Sequence, residues 1–125
     1  IDMENTKINS IGMGSIYVDD FNKAYEFYNG LLGLEGQPGE NSCFFPLSKE
    51  QAIYVEGKYN PVAKDPKAVR SAVTFRVGSA VSMFSKLKNS GVVLIQSEPM
   101  KMAENIFWFQ CFDPAGNIVE FLGGE

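Results

Sequence analysis

The sequence of 125 residues contains no histidine. This absence excludes nucleophilic sites in which histidine activates serine or cysteine, zinc sites with imidazole ligands, and the commonest general base. Cysteine is also scarce, because Cys43 and Cys111 are the only two and cannot form a disulfide scaffold. We therefore predict two reduced thiols that pack as small apolar residues, in a cytoplasmic protein.

Long hydrophobic runs and basic clusters are missing as well. No apolar run approaches the roughly 18 residues that a membrane span needs. The net charge is −4, and no basic stripe interrupts this acidic balance. We therefore predict neither a membrane nor nucleic acid as a partner. Hydrophobic residues nevertheless make up 45% of the chain, which is typical of a globular domain with a substantial core.

The first half of the chain shows one strand, one helix and then short strands. Residues 11–18 have a strand pattern, and Asp20 is a suitable N-cap for the segment that follows. Apolar residues recur at helical spacing over 20–32, and Gly33 marks the end of this predicted helix. Three further predicted strands cover about 34–37, 42–47 and 51–56.

The second half repeats this order at an offset of almost half the chain. A strand over 71–77 precedes Ser79, a suitable N-cap for a helix that Gly91 ends. A loop over 98–105 is predicted to carry two methionines. The remaining predicted strands are 92–96, 106–112 and 117–122.

These matching halves predict a single domain over residues 1–125. Its first module covers about 8–57, a linker with two prolines covers about 58–70, and its second module covers about 71–123. Each half alone is too small for a robust core, so we expect both to share one curved sheet.

Two stretches of the chain carry family motifs. Residues 14–34 combine a strand that ends in Val-x-Asp, a helix with Phe-Tyr, and then Leu-Gly-Leu. Residues 112–121 contain Asp-Pro-x-Gly-Asn followed by a strand with Glu120. Because both motifs occur in this order, the chain resembles the vicinal oxygen chelate superfamily, which includes glyoxalase I, bleomycin resistance proteins and extradiol dioxygenases. The resemblance implies an α+β fold of two βαβββ modules, which form a curved mixed sheet around a concave pocket, and a homodimer.

The resemblance also implies four metal-binding positions on the sheet. Two of them fall on Met13 and Ala72, where the enzymes usually hold histidine. A third falls on Val55 or Glu56, and an ambiguity of one residue leaves both open. The last position is Glu120. A thioether is a poor ligand for hard cations, and alanine has no group that binds a metal. We therefore predict no cofactor. The alternative is a divalent cation at Glu56 and Glu120.

Strand alternation predicts which side chains face the concave surface. The predicted ligand-binding residues are Tyr17, Arg76, Trp108, Gln110, Phe112 and Glu120. Aromatic rings mixed with a few polar groups are typical of small-molecule sites. Alternatively, the aromatic residues fill the pocket or pack at a dimer interface. We expect Glu120 to pair with Arg76, to accept a hydrogen bond from Tyr17, or to contact a ligand.

Three functions remain open at this point. The leading hypothesis is a metal-independent protein that binds a small molecule, such as an antibiotic, in an aromatic pocket. The second is a metal-dependent lyase, isomerase or dioxygenase of the same superfamily, so whether the chain is an enzyme stays open. The third is a regulatory or immunity-type protein whose pocket has closed. The sequence names no ligand, and it leaves open whether the modules pair within one chain or between two chains.

Overall fold

The computed structural model describes residue 6 and residues 11–68 and 71–125. Two α-helices and seven strands form within these residues. They are β1 (Gly14–Tyr17), α1 (Phe21–Tyr25), β2 (Ser42–Pro46), β3 (Ala52–Glu56), β4 (Val73–Ser79), α2 (Ala80–Asn89), β5 (Met100–Ala103), β6 (Ile106–Phe112) and β7 (Ile118–Gly124). A π-helix, Glu26–Leu31, continues α1, and a 3-10 turn, Pro66–Ala68, precedes β4. The predicted start of the first module, residue 8, and the end of the linker, residues 69–70, lie outside the described residues.

The strands form two mixed sheets, one in each half of the chain. The first sheet has the order β1-β3-β2, in which β1 runs parallel to β3 and β2 runs antiparallel to it. The second sheet has the order β4-β7-β6-β5, in which only the pair β4 and β7 is parallel. The predicted α+β fold class is therefore confirmed. Within the described residues, no helix is long and apolar enough to cross a bilayer.

The helical segments, the first of them α1 continued by the π-helix, begin directly after the predicted N-caps and end shortly before the predicted glycines. The side chains of Asp20 and Ser79 each accept a hydrogen bond from the backbone N–H three residues later, at 3.2 and 3.0 Å. Gly33 and Gly91 adopt left-handed φ values of 78° and 80° just after the helical segments. Side chains other than glycine rarely adopt this conformation, so these two glycines allow the chain to turn back toward the sheets.

The strand predicted over 34–37 is wrong. The structure has a single bridge here, between Pro38 and Cys43. Leu34 still donates its backbone N–H to the carbonyl of Tyr28 at the end of the helix, at 3.0 Å. Pro38 has no N–H to donate to a ladder, so pairing does not extend along this edge.

The strand predicted over 92–96 and the loop predicted over 98–105 are also wrong. The first segment makes one bridge, between Leu94 and Cys111, and the second contains β5. Both segments lie along the same edge of β6, one after the other. All four side chains of β5 are exposed, so this edge strand lacks the apolar alternation by which strands are predicted.

One core contains side chains from both halves. Its largest fully buried members are Tyr28 and Phe45 from the first half and Phe109 and Phe121 from the second. The rings of Phe109 and Phe121 stack with their centroids 5.1 Å apart. Because these groups share one core, neither sheet buries its apolar face without the other half.

The two cysteines pack in this core, as predicted. Cys43 and Cys111 are free thiols and are both buried. Burial raises the pKa of each thiol, and burial together with the nearby Asp113 charge raises that of Cys111 to about 12. Thiols with raised pKa values form little thiolate, so both side chains are chemically inert in the folded protein.

A fully buried carboxylate joins the two halves. Asp113 accepts hydrogen bonds from the Tyr28 hydroxyl at 2.7 Å, from the backbone N–H groups of Ala115 and Asn117, and from the Asn117 side chain. Burial raises the pKa of the Asp113 carboxyl, although these four hydrogen bonds act to lower it. Burial also raises the pKa of the Tyr28 hydroxyl, and the Asp113 charge adds to this effect. The motif Asp-Pro-x-Gly-Asn thus has a structural role, since it ties the helix of the first half to the last hairpin.

Candidate functional site

The outer surface of the second sheet carries most of the predicted site. Strand pairing places Thr74 opposite Glu120, Gln110 opposite Glu120, and Trp108 opposite Leu122. The residues between them, such as Val119 and Phe121, are buried on the other side of the sheet. We call this outer surface the second-sheet face; it consists of Thr74, Arg76, Trp108, Gln110, Glu120 and Leu122.

Neutral donors hold the carboxylate of Glu120. The Thr74 hydroxyl donates to Oε1 at 2.6 Å, and the Gln110 side-chain amide donates to Oε2 at 2.8 Å. Gln110 is fixed in turn by Gln96, whose amide donates to Gln110 Oε1 at 2.9 Å and whose Oε1 accepts from the Gln110 backbone at 2.7 Å. The half-buried carboxylate is therefore oriented, and it forms no ion pair with a lysine or arginine among residues 11–68 and 71–125.

Two of the partners expected for Glu120, Arg76 and Tyr17, are wrong. Arg76 lies opposite Leu122, two residues further along the strand than Glu120. Among the described residues, the single ion pair joins Lys101 and Glu104 at the surface. Tyr17 belongs to the first sheet, where its ring packs against Tyr59 instead.

The structure brings four of the six predicted residues onto one surface. Trp108, Gln110 and Glu120 lie side by side, and exposed Arg76 lies at the same face on β4. Phe112 shares the alternation but is only 6% exposed, so it packs as a core residue. Tyr17 is 48% exposed on the other sheet. Whether these residues bind a ligand stays a prediction.

A second carboxylate lies on the outer surface of the first sheet. Glu56 accepts hydrogen bonds from the hydroxyls of Tyr54, at 3.0 Å, and Tyr59, at 2.7 Å. Tyr17 lies opposite Glu56 in the parallel pairing, and its ring centroid is 4.7 Å from that of Tyr59. We call Tyr17, Tyr54, Glu56 and Tyr59 the first-sheet cluster. Adjacent Val55 is fully buried, so Glu56 and not Val55 points away from the core.

Two open grooves run beside the edge strand β4. Their volumes are about 700 and 710 Å³, and Thr74 and Phe75 line both of them. Arg76 lines the first groove together with Leu32 and Lys49 from the other half. Glu120 lines neither groove. Its side of the second-sheet face therefore lies outside these grooves.

Comparison with known proteins gives the family. The model of the Glyoxalase/Bleomycin resistance protein/Dioxygenase superfamily matches residues 7–121. The chain belongs to this superfamily. No protein with curated annotation matches the sequence.

Solved structures of the superfamily share the fold. A protein of Bacillus anthracis described as a glyoxalase family member is 22% identical, with a TM-score of 0.71 over 95% of this chain and 98% of that one. The fosfomycin resistance protein FosX of Listeria monocytogenes, solved with Mn(II) and sulfate, is 16% identical, with a TM-score of 0.73 over 95% and 93%. Lactoylglutathione lyase of Agrobacterium tumefaciens is 18% identical, with a TM-score of 0.68 over 94% and 95%. These structural similarities show the shared fold and not an activity.

The metal positions implied by the superfamily lack its usual set of ligands in this chain. Met13 offers a thioether and Ala72 offers no ligand, while Glu56 and Glu120 already accept hydrogen bonds on both oxygens. Within residues 11–68 and 71–125, no three carboxylate or thiol side chains come close enough to hold an ion. Metal sites normally use three or four protein ligands, so this donor set departs from a metal-dependent member of the superfamily.

Four residues that form the hydrogen bonds around Glu56 and Glu120 were not predicted as site residues: Tyr54, Tyr59, Thr74 and Gln96. Tyr54 alternates with Glu56 along one strand, so period-two spacing was a usable signal. Thr74 alternates with Arg76 along β4, so period-two spacing puts it on the same face, but its contact with Glu120 depends on the register between strands. Tyr59 and Gln96 come from irregular segments, and no local pattern in the sequence indicates which side chain they reach.

Proposed function

We propose that this member of the glyoxalase superfamily binds a small molecule on its second-sheet face without a metal ion. The observation that carries the proposal is the Glu120 carboxylate, which Thr74 and Gln110 orient without neutralising its charge. An oriented, half-buried carboxylate attracts a donor or a cation more strongly than a mobile surface carboxylate does.

Apolar surface beside Glu120 supplies the rest of a ligand site. Half-buried Trp108 lies next to Leu122 on β7 and to Met100 on β5, and Met100 is 47% exposed. A flat indole beside flexible methionine accommodates planar molecules of different outlines. This combination favours a flat ligand with a polar or cationic end, such as an antibiotic.

The sole tryptophan of the chain provides a direct test, because Trp108 lies in the proposed site. We expect planar and cationic drugs to change its fluorescence at micromolar concentrations, equally with and without EDTA. Glu120→Gln should weaken this binding about tenfold, since a hydrogen bond to a charged group contributes about 1.5–3 kcal/mol. Thr74→Ser keeps the hydroxyl and is the matched control. Unchanged fluorescence and melting temperature across the whole panel would contradict the proposal.

A second copy of the chain is the proposed cover for this face. Trp108 and Glu120 are only partly buried in one chain and lie beside the grooves rather than within them. A homodimer in which the module at about 8–57 of one copy faces the module at about 71–123 of the other would enclose them. Sedimentation equilibrium should show a dimer at micromolar concentration, and a monomer at all concentrations would contradict this arrangement.

Metal-dependent catalysis is the second candidate function. Its support is that Glu56 and Glu120, two of the four implied metal positions, are both carboxylates that face away from the core. Such a chain would be a lyase, isomerase or dioxygenase with a depleted site. Protein purified without chelators should then contain one Mg²⁺, Mn²⁺, Zn²⁺ or Ni²⁺ per site. Substoichiometric amounts of all four would exclude this function.

A cytoplasmic location completes the proposal. Its support is that both cysteines are free and buried, so the fold requires no oxidising compartment. Cell fractionation should recover the protein with cytoplasmic enzymes, and recovery outside the cell would contradict the assignment.

A further inference from the structure

We propose that the first-sheet cluster is a separate binding site for an organic cation. The site consists of the Glu56 carboxylate and the rings of Tyr17 and Tyr59, and the ligand is a primary ammonium or guanidinium group on an apolar body. This site lies on the other sheet from Glu120, so it does not depend on the proposed function.

The fold positions the cluster on regular backbone. Parallel pairing of β1 with β3 sets Tyr17 beside Glu56, and strand alternation sets Tyr54 on the same side. The chain then turns back after β3, where the Tyr59 backbone N–H donates to the carbonyl of Val18 at 2.9 Å. This bond holds the Tyr59 ring against Tyr17.

Two hydrogen bonds orient the carboxylate of Glu56. Each Glu56 oxygen accepts one tyrosine hydroxyl, at 2.7 and 3.0 Å, and retains room for a further donor. Because both hydroxyls donate to Glu56, their oxygens are acceptors toward an incoming N–H group. The bond to Glu56 also raises the pKa of the Tyr59 hydroxyl, so this donor stays protonated at neutral pH. The Glu56 carboxylate and the two hydroxyl oxygens therefore offer acceptors to the ligand, which favours a cation.

The neighbouring lysine does not neutralise this charge. Lys58 is exposed and precedes Tyr59, but the one ion pair in the described part of the chain is Lys101 with Glu104. An open groove of about 510 Å³ is lined by Glu56 and Tyr59 and by Lys58 at its rim. Its volume lies in the range of small-molecule sites, so an arylalkyl cation fits beside the carboxylate.

The two rings supply the surface for the ligand's body. Tyr17 is 48% exposed and Tyr59 is 45% exposed, and their planes meet at 54°. A tilted pair presents one ring face and one ring edge to the same space. Cations are attracted to the faces of aromatic rings within about 6 Å, and desolvation strengthens this attraction.

The test is a nuclear magnetic resonance titration of the whole chain with 2-phenylethylammonium chloride. We expect saturable amide shifts at residues 14–18, 42–44 and 54–59, and the affinity of the first-sheet cluster is measured from these residues. Glu56→Gln should weaken binding about tenfold, because it removes the charge but keeps an acceptor. The neutral isostere 2-phenylethanol lacks the positive charge, so it should bind at least about tenfold more weakly.

Glu120→Gln is the matched control on the other sheet, and it should change the affinity by less than about twofold. Tyr17→Leu removes a ring that makes none of the hydrogen bonds to Glu56, and it should weaken binding about threefold even if Glu56→Gln proves unstable. Three results would each overturn the proposal: equal binding of the alcohol, an equal loss on Glu120→Gln, or no shifts at millimolar ligand. Trp108 fluorescence and the amide shifts around Glu120 report binding at the second-sheet face, which separates failure of this site from failure of the proposed function.

Discussion

The two sheets each carry one glutamate that faces away from the core, and they surround it with different chemistry. Glu56 receives two phenolic hydroxyls, from Tyr54 and Tyr59. Glu120 receives a threonine hydroxyl and a glutamine amide. Phenols bring large ring surfaces with their hydroxyls, whereas threonine and glutamine bring almost none. Each sheet thus presents one outward carboxylate, with large ring surfaces around Glu56 and almost none around Glu120.

The two halves also differ in how complete their sheets are. The first sheet has three strands and a single bridge at Pro38, while the second has four strands and a further bridge at Leu94. The less complete half contributes Tyr28 and Phe45 to the common core. We infer that the first half depends on the second for its stability, and the following changes test this comparison.

The largest effect is expected from the carboxylate that joins the halves. Asp113→Ala leaves the buried Tyr28 hydroxyl and two backbone N–H groups without an acceptor, so we expect about 3–5 kcal/mol less stability. Urea unfolding, monitored by far-UV circular dichroism and by Trp108 fluorescence, measures this loss of stability. Asp113→Asn keeps one acceptor oxygen and should lose less. Two separate transitions in wild type would show that the halves do not unfold together.

The next largest loss of stability is expected from alanine substitutions at two glycines, Gly33 in the first half and Gly116 in the second. Gly116 and Gly33 have φ values of 95° and 78°, so alanine is strained at both. An added Cβ at Gly116 would also collide with the Val62 backbone, whereas open space surrounds Gly33. Gly33→Ala should lose about 1 kcal/mol, and Gly116→Ala should lose at least about 2 kcal/mol, because overpacking adds to strain. Equal losses would contradict the close approach at Val62.

A smaller loss of stability is expected when a hydroxyl group that donates to either glutamate is removed. Thr74→Val and Tyr54→Phe each remove one hydroxyl that donates to a carboxylate. We expect each to lower the free energy of unfolding by about 1 kcal/mol, since both bonds are partly solvated. Thr74→Ser, which keeps the hydroxyl, should stay within about 0.5 kcal/mol of wild type. If Thr74→Val were as stable as wild type, the hydroxyl would not contribute to holding Glu120.

Local signals in the sequence predicted much of the fold. The helix caps Asp20 and Ser79, the stops at Gly33 and Gly91, and the inward residues Val119 and Phe121 follow from chemistry within a few residues of each position. The family motifs then supplied the order of the modules. These features do not depend on which strand lies beside which.

The contacts of the candidate site depend on the register between strands that are far apart in the sequence, and local sequence patterns do not indicate this register. Glu120 meets Thr74 and not Arg76 because β4 and β7 pair at one particular offset. Residues two positions apart along a strand are separated by roughly 6.6 Å, which is too far for the same hydrogen bond. Tyr59 reaches Glu56 through a turn after β3, and Gln96 reaches Gln110 from a segment without regular alternation. The site could therefore be predicted as a face, but not as a set of partners.

The smallest expected effect is on the pH dependence of stability, and it is measured by comparing wild type with Asp113→Asn. Burial raises the pKa of this carboxyl above the ordinary value of 3.8, so the folded state binds the proton more tightly than the unfolded state does. Stability from this group is therefore complete below pH 3.8 and declines as pH rises through the raised pKa. The neighbouring Tyr28 and Cys111 have raised pKa values and stay neutral there. Unfolding free energies from about pH 4 to 7 should show wild type losing stability relative to Asp113→Asn, and a relative gain would mean that the four hydrogen bonds outweigh burial.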